Sequence, residues 1–273
     1  KNILQIHGGN IHNCFRIDFE NKSFFIKKNI KNERFLKYES YCLNDLKKYI
    51  NHENLQIPEV YSYLDINNTE LLIIEWIEMK MGTQFKLGKG LAEMHLKSHE
   101  SNPNRFGYAE KGFIGLSEQI SGWEKNWAEC FINLRIEPQL NKFKNKNKNI
   151  NSDVIKNLIS KIKMILNNHY PCISIVHGDL WSGNFGINSL NKGVIFDPAS
   201  WWADCEVDIA MSILFGGFNQ DFYNEYFKVL PRKKGFDQRI TIYNLYHILN
   251  HANMFGGTYL LQADECIKNI LNM

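Results

Sequence analysis

Val176-His177-Gly178-Asp179-Leu180-Trp181-Ser182-Gly183-Asn184, followed later by Phe196-Asp197-Pro198, carries more information than any other part of this chain. Two acceptor-rich loops, each entered from a short apolar run, lie close together in sequence. The first offers the carboxylate of Asp179 and, five positions on, the carboxamide of Asn184; the second offers Asp197 thirteen residues later. One carboxylate to orient a hydroxyl, with an Asn and a second Asp to hold magnesium, is the set of groups that phosphoryl transfer requires. Polar residues in turns are also simple turn formers. A strand before each loop and the joint spacing favour the catalytic reading.

The chain around this stretch has 273 residues, enough for one large domain or two small ones with a buried core. Apolar residues make up 44% and charged residues 22%, ordinary for a globular protein. A net charge of +3 is too small to imply nucleic-acid binding. No apolar run approaches the roughly 18–20 residues that cross a membrane, and the N-terminus lacks a signal-peptide pattern. The six cysteines, Cys14, Cys42, Cys130, Cys172, Cys205 and Cys266, are scattered without a C-x-x-C pair. Free thiols in a reducing cytoplasm are the expectation.

Upstream, residues 3–28 read as three short strands. Ile3, Leu4 and Ile6 lead into His7-Gly8-Gly9-Asn10; Cys14 to Phe19 follow, then the turn Glu20-Asn21-Lys22 and Ser23 to Lys28. Over 33–50 the period becomes helical, with Phe35, Glu39, Cys42, Leu43, Leu46 and Ile50 on one stripe. Strands at Val60–Leu64 and Leu71–Glu75 come next, turning at Asp65-Ile66-Asn67-Asn68. From Phe85 helical patterns dominate: Leu87 to His95, Trp123 to Leu134, and Val154 to Leu166. Asn141 to Asn149, alternating Lys and Asn, reads as a solvated loop. Short strands at Ile173–Val176, Phe185–Ile187 and Val194–Phe196 frame the two acceptor loops. Helices are expected at Val207–Leu214, Gln220–Leu230, Gln238–His251 and Tyr259–Leu271. The fold class is therefore α+β and two-lobed. Residues 1–78 form a small lobe and connector, with a five-stranded antiparallel sheet and one helix; residues 79–273 form a larger, mainly helical lobe. A ligand cleft between the lobes is expected.

Several side chains in the small lobe belong to the same chemistry. Lys27, in the apolar run Phe24-Phe25-Ile26-Lys27, predicts an anionic partner if buried. Glu39, on the apolar stripe of the next helix, is the candidate. At about 4 Å and an effective dielectric near 20, the pair attracts by roughly 4 kcal/mol before desolvation. The other reading has Lys27 snorkelling and Glu39 in solvent. Gly8-Gly9-Asn10 forms either a plain turn or one that presents backbone N–H groups to phosphate oxygens. Glu75-Trp76-Ile77 is either an inter-lobe linker or the backbone that meets an adenine edge. His177 braces its loop rather than binding metal. Asp204 and Asp208 flank the start of a helix. Asp208 either caps the first turn or, buried, accepts backbone N–H bonds from the Asp179 loop.

With these residues in hand, the chain resembles the fructosamine kinase (ketosamine-3-kinase) family, part of the protein-kinase-like group that includes aminoglycoside phosphotransferases and choline kinases. The matches run over nearly the whole chain. They include Gly8-Gly9, Phe25-Ile26-Lys27, Glu39, Phe106-Gly107, Gly112-Phe113-Ile114-Gly115, Trp123-x-x-x-Trp127 and Arg135-x-x-Pro138-Gln139-Leu140. The most specific are His177 to Asn184, Asp197-Pro198-Ala199 and Phe215-Gly216-Gly217-Phe218; Gly235-Phe236-Asp237-Gln238-Arg239 also matches. Trp181 and the Phe-Gly-Gly-Phe segment separate this family from its relatives. The resemblance implies a protein-kinase-like fold and ATP-dependent phosphorylation of the sugar 3-hydroxyl of ketoamine adducts on lysine amines, a deglycation step. Ribulosamine or erythrulosamine adducts are implied ahead of fructosamine.

Carried over residue by residue, the resemblance makes Asp179 the catalytic acceptor and assigns magnesium to Asn184 and Asp197. ATP falls to Gly8, Gly9, Asn10, Lys27, Glu39 and the Glu75-Trp76-Ile77 connector. Trp181 and His251 fall on the substrate side, where loop packing and a structural histidine are the simpler alternatives. His177 and Asp208 support the catalytic loop. The implied partners are ATP and a glycated amine or glycated protein, with no nucleic acid and no membrane. An amino-sugar or amino-alcohol kinase and a nucleotide-binding sensor without turnover remain alternatives; the second predicts loss of a catalytic carboxylate, and none is missing. Many family members carry a Cys after the paired glycines, where this chain has Asn10, so no thiol switch is expected in that loop. The chain also begins close to its first strand, where family members carry a preceding helical segment.

Overall fold

The computed structural model describes residues 2–6, 12–30, 34–147 and 150–273. In chain order the first elements are β1 (Asn2–Ile6), β2 (Asn13–Phe19), β3 (Lys22–Asn29), α1 (Phe35–Lys47), β4 (Leu55–Gln56), β5 (Val60–Ile66), β6 (Thr69–Glu75) and β7 (Met79–Lys80). Strands β1-β2-β3-β6-β5 form one antiparallel sheet. The β5–β6 hairpin turns on Asn67 and Asn68, with φ of 50° and 61°. Asn tolerates that left-handed geometry better than most residues, and two such residues match the right-handed twist of the strands they join. Helix α1 packs against β3, β5 and β6 through the stripe that includes Leu36, Leu43 and Leu46.

The second lobe holds α2 (Phe85–Glu100), β8 (Phe106–Tyr108), β9 (Gly112–Ile114), β10 (Ser117–Gln119), β11 (Gly122–Glu124), α3 (Trp127–Phe131), a π-helical turn (Ile132–Ile136), α4 (Glu137–Lys146) and α5 (Ser152–Asn167). It continues with β12 (Ile173–Val176), β13 (Phe185–Asn188), β14 (Gly193–Ile195), β15 (Trp201–Asp204), α6 (Glu206–Phe215), α7 (Gln220–Val229), α8 (Phe236–Phe255) and α9 (Thr258–Leu271). Helix α8 runs through the centre of this lobe, packing against α4, α5, α6 and α9. Two small sheets present the acceptor loops. β12 ends the sheet β11-β8-β15-β12, and β13 and β14 lie inside β4-β14-β13-β7. The short strands β4 and β7 tie the lobes together by pairing with β14 and β13.

Three local expectations change. Trp123 sits in β11, paired with Gly107, and the helix begins at Trp127, because Asn126 accepts a capping bond from Glu129 N at 3.0 Å. Tryptophans four apart fit a helical period by coincidence. Residues 141–146 are helical rather than loop: Glu137-Pro138 starts α4 and Leu140 and Phe143 bury its inner face. The alternating Lys and Asn side chains there cover the outer face. Trp201–Asp204 is a strand whose every residue is buried, so no alternation marked it.

Candidate active site

The loop between β12 and β13 is held from beneath by Asp208. Its buried carboxylate accepts hydrogen bonds from His177 N at 2.7 Å and Gly178 N at 2.8 Å. His95 on α2 adds a third contact, Nε2 to Asp208 Oδ2 at 3.1 Å, and its Nδ1 meets Tyr226 Oη at 2.9 Å. Burial pushes the Asp208 carboxyl upward, but these hydrogen bonds and nearby imidazoles outweigh it and hold the carboxyl below its usual range. Of the two readings of Asp208, the second describes its contacts, although it also lies in the first turn of α6. Asp204 instead ends β15, accepting from His169 at 2.7 Å and Tyr243 Oη at 2.8 Å.

His177 is buried and spans the two acceptor loops, with Nε2 2.9 Å from Phe196 O and Nδ1 3.3 Å from Asp179 N. Burial pushes its pKa down, keeping the ring neutral. Gly178 has φ +83°, and a Cβ there would lie 2.1 Å from Ala199 O, so a side chain would separate the two loops.

Asn184 and Asp179 come together as the spacing suggested. Asn184 Nδ2 donates to Asp179 O at 2.9 Å, to Asp179 Oδ2 at 3.1 Å and to Asp197 O at 3.5 Å. The carboxamide nitrogen is thereby committed inward, which leaves its oxygen as the end able to take a cation. Asp197 adopts φ 56°, an unusual conformation for a non-glycine residue. Burial, followed by the negative charge of Asp197, pushes the Asp179 carboxyl up to about 7. Two carboxylates and a carboxamide oxygen are hard donors, and the crowding of negative charge is what a divalent cation relieves. The residues present fit magnesium.

From the small lobe, the buried Lys27 ammonium lies 2.8 Å from Glu39 Oε1 and contacts Asp197 Oδ1 as well. Lysine, helix α1 and the Asp197 loop thus meet at one point. Desolvation pulls the Lys27 pKa down, but the two carboxylates outweigh it and keep the ammonium protonated.

At the connector, the Glu75 carboxylate accepts from Gln56 Nε2 at 3.1 Å and Glu59 N at 3.2 Å, so this side chain braces the β4–β5 junction. The Trp76 ring stacks on Phe25 and carries the Arg16 guanidinium 4.6 Å from its centroid. Ile77 follows directly on the stretch between β6 and β7. Gly8, Gly9 and Asn10 lie outside the described residues.

Trp181 is 37% exposed beside Asp179, with its indole close against Gly183. His251 Nδ1 donates to His247 O, 2.9 Å away, and its ring packs at a tilt among Phe215, Phe255 and Tyr259. His95 escaped the sequence reading because it falls on the apolar stripe of α2, where only its buried partner Asp208 distinguishes it.

The sequence profile described as Fructosamine kinase matches residues 1–273. A Vibrio vulnificus protein carrying a ketoamine kinase assignment is 34% identical over 98% of this chain and 92% of its own length. The chloroplastic protein-ribulosamine 3-kinase of Arabidopsis thaliana is 31% identical over 99% of this chain and 83% of its own. Among solved structures, a Haemophilus somnus protein carrying a fructosamine-3-kinase assignment superposes with a TM-score of 0.86 at 28% identity, covering 99% of this chain and 91% of that one. An aminoglycoside phosphotransferase crystallised with AMP-PNP and hygromycin B shares the fold at a TM-score of 0.63 and 15% identity, over 99% and 93%. The fold is the protein-kinase-like one that the opening motif suggested.

Proposed function

The chain belongs to the fructosamine kinase family, and we propose that it transfers the γ-phosphoryl group of ATP to the sugar 3-hydroxyl of a ketoamine on a lysine amine. The product adduct is labile, which makes the reaction a deglycation step. The observation that carries this reading is the meeting of Asp179, Asn184, Asp197, Lys27 and Glu39 in one connected network that joins the two lobes.

Asp179 accepts a hydrogen bond from the attacking hydroxyl and orients it for in-line transfer; in a loose transition state it need not be a strong base. Lys27, set by Glu39, neutralises charge on the ATP phosphates. Asn184 and Asp197 would hold magnesium, which when bound would supply further neutralisation of the phosphate oxygens. The family resemblance assigns Gly8, Gly9 and Asn10, which lie outside the described residues, to the phosphates, and the backbone of Glu75 to Ile77 meets the adenine. His177 and Asp208 keep the Asp179 loop in place. Trp181, 37% exposed and two residues after Asp179, packs on the sugar or its linking amine, and His251 is assigned to the same acceptor. Ribulosamine adducts fit best, because the protein-ribulosamine 3-kinase of Arabidopsis thaliana is a relative along 99% of this chain. A cytoplasmic location suits six buried free thiols, and among the described residues no helix is long and apolar enough to cross a membrane.

Incubation with ribulose-lysine, ATP and magnesium, followed by phosphorus NMR, is expected to give a sugar phosphomonoester. Nucleotide binding without any phosphoester on ribulosamine, erythrulosamine or fructosamine acceptors would exclude this function. A panel of aminoglycosides and amino-alcohols under the same conditions separates it from an amino-sugar kinase.

A further inference from the structure

Gln119, at the end of β10, is 2% exposed, and its carboxamide joins two tyrosines from different parts of the fold. One end lies 3.1 Å from Tyr38 Oη on α1; the other lies 3.1 Å from Tyr246 Oη on α8. The Tyr38 hydroxyl also lies 2.6 Å from Ser200 O, three residues beyond Asp197, so its single proton is shared between two acceptors. All three side chains are buried, and burial pushes both phenols above their usual range, so each remains a neutral hydroxyl.

The position of this link gives it a consequence. Tyr38 directly precedes Glu39, the residue that holds Lys27. The start of α1 is fixed to the small-lobe sheet, where Glu70 accepts from Lys37 N at 3.1 Å and Leu36 N at 3.4 Å. Tyr38 fixes the same turn of helix to the segment that follows Asp197. The Lys27–Glu39 and Lys27–Asp197 contacts survive together only while α1 and that segment keep their spacing. Gln119 extends the tie to α8, the helix that carries His251.

We propose that Gln119 is a positioning residue: through Tyr38 it sets α1, and with it Glu39 and Lys27, against the Asp197 segment, and through Tyr246 it couples that setting to α8. The inference deepens the phosphoryl-transfer reading above and rests on it. Tyr38→Phe removes the Ser200 contact as well as the Gln119 one, so once Tyr38 is cut, cutting Tyr246 too adds little.

The test compares Gln119→Met, Tyr38→Phe, Tyr246→Phe and the Tyr38→Phe/Tyr246→Phe double variant. Measurements are magnesium–ADP affinity by calorimetry, kcat with ribulose-lysine, and thermal midpoint. Each single variant is expected to weaken ADP binding by about tenfold and to lower kcat, with the double variant no worse than Tyr38→Phe alone. Tyr38→Phe keeps its ring and decides the matter should Gln119→Met not fold. ADP affinity and kcat within twofold of the parent, with only a lower thermal midpoint, would show a merely structural link and overturn the proposal; so would additive losses in the double variant. The ADP measurement needs no acceptor. A parent protein that binds ADP and phosphorylates no ketoamine therefore refutes the proposed substrate, while the variants still judge Gln119 by ADP affinity.

Discussion

The Lys27 ammonium and the Glu39 carboxylate lie 2.8 Å apart, both almost wholly buried. Lys27 also contacts Asp197, so the two carboxylates share one cation and the pair is unequal. Lys27→Met leaves two carboxylates facing each other without a counter-charge. A stability loss of about 3–5 kcal/mol follows, the usual cost of stranding a buried ion. Glu39→Gln leaves Lys27 paired with Asp197, and its loss is expected to be less than half as large. Urea unfolding of the two variants checks the order. Turnover should fall sharply in both, since neither keeps the ammonium where Glu39 now sets it.

Asp179→Ala is expected to reduce kcat by about 10²–10⁴-fold, the range for a lost proton acceptor. Magnesium–ADP affinity should stay within a few-fold, because the assigned nucleotide contacts lie on Lys27, the connector and the metal ligands. Rapid-quench kinetics beside calorimetry separates the two effects. Near-parent kcat in this variant would remove Asp179 from its assigned role.

Asp208→Asn addresses the support of the catalytic loop. The carboxylate receives the N–H groups of His177 and Gly178 on its two oxygens and His95 besides. A carboxamide has one acceptor atom, so at least one buried donor loses its partner, at about 1–3 kcal/mol. The expected result is a lower thermal midpoint with kcat reduced and the KM for ATP little changed. A variant with unaltered kcat would show that the loop holds its shape through His177 alone.

Much of this arrangement was legible in the sequence because polar residues stood where packing gave no reason for them. Glu39 on an apolar stripe and Lys27 in an apolar strand each announced a buried partner, and they are each other's. Asp179, Asn184 and Asp197 were readable from spacing because strands fix where loops start. Asp208 was only half readable, since helix capping explains an aspartate at that position equally well. Gln119, Tyr38 and Tyr246 could not be matched in advance: their contacts span 81 and 127 residues of sequence, and no local period encodes such a meeting. The short strands β8 to β11 were hidden for a related reason, since three residues are too few to show alternation.

His247 gives the chain a predictable sensitivity to acid. It is 1% exposed, neither ring nitrogen has a hydrogen-bond partner, and burial pushes its pKa down to about 3. The unfolded chain takes up this proton near pH 6.5, whereas the folded chain stays neutral until about pH 3. The folded pKa is the lower one, so stability is lost as pH falls through that window, at a limiting slope of about 1.4 kcal/mol per pH unit. His177 is depressed in the same direction and adds to the loss. Urea midpoints at pH 7.5 and 5.5 measure the drop, and His247→Leu should show a visibly smaller one. An equal drop in both proteins would assign the acid sensitivity to other groups.

Gly183→Ala tests Trp181 without touching its ring. A Cβ at residue 183 would lie 2.4 Å from the far edge of the indole, closer than carbon atoms approach. Gly183 is not among the glycines with positive φ, so alanine brings no backbone strain and the clash falls on the indole alone. Trp181 is 37% exposed and free to swing outward, so stability should change by less than about 1 kcal/mol. The KM for ribulose-lysine should rise several-fold while the KM for ATP stays put, because the proposed role of the indole is toward the acceptor and not the nucleotide. A red-shifted tryptophan emission would report the outward swing directly. Unchanged acceptor kinetics in a variant with that shift would return Trp181 to simple loop packing.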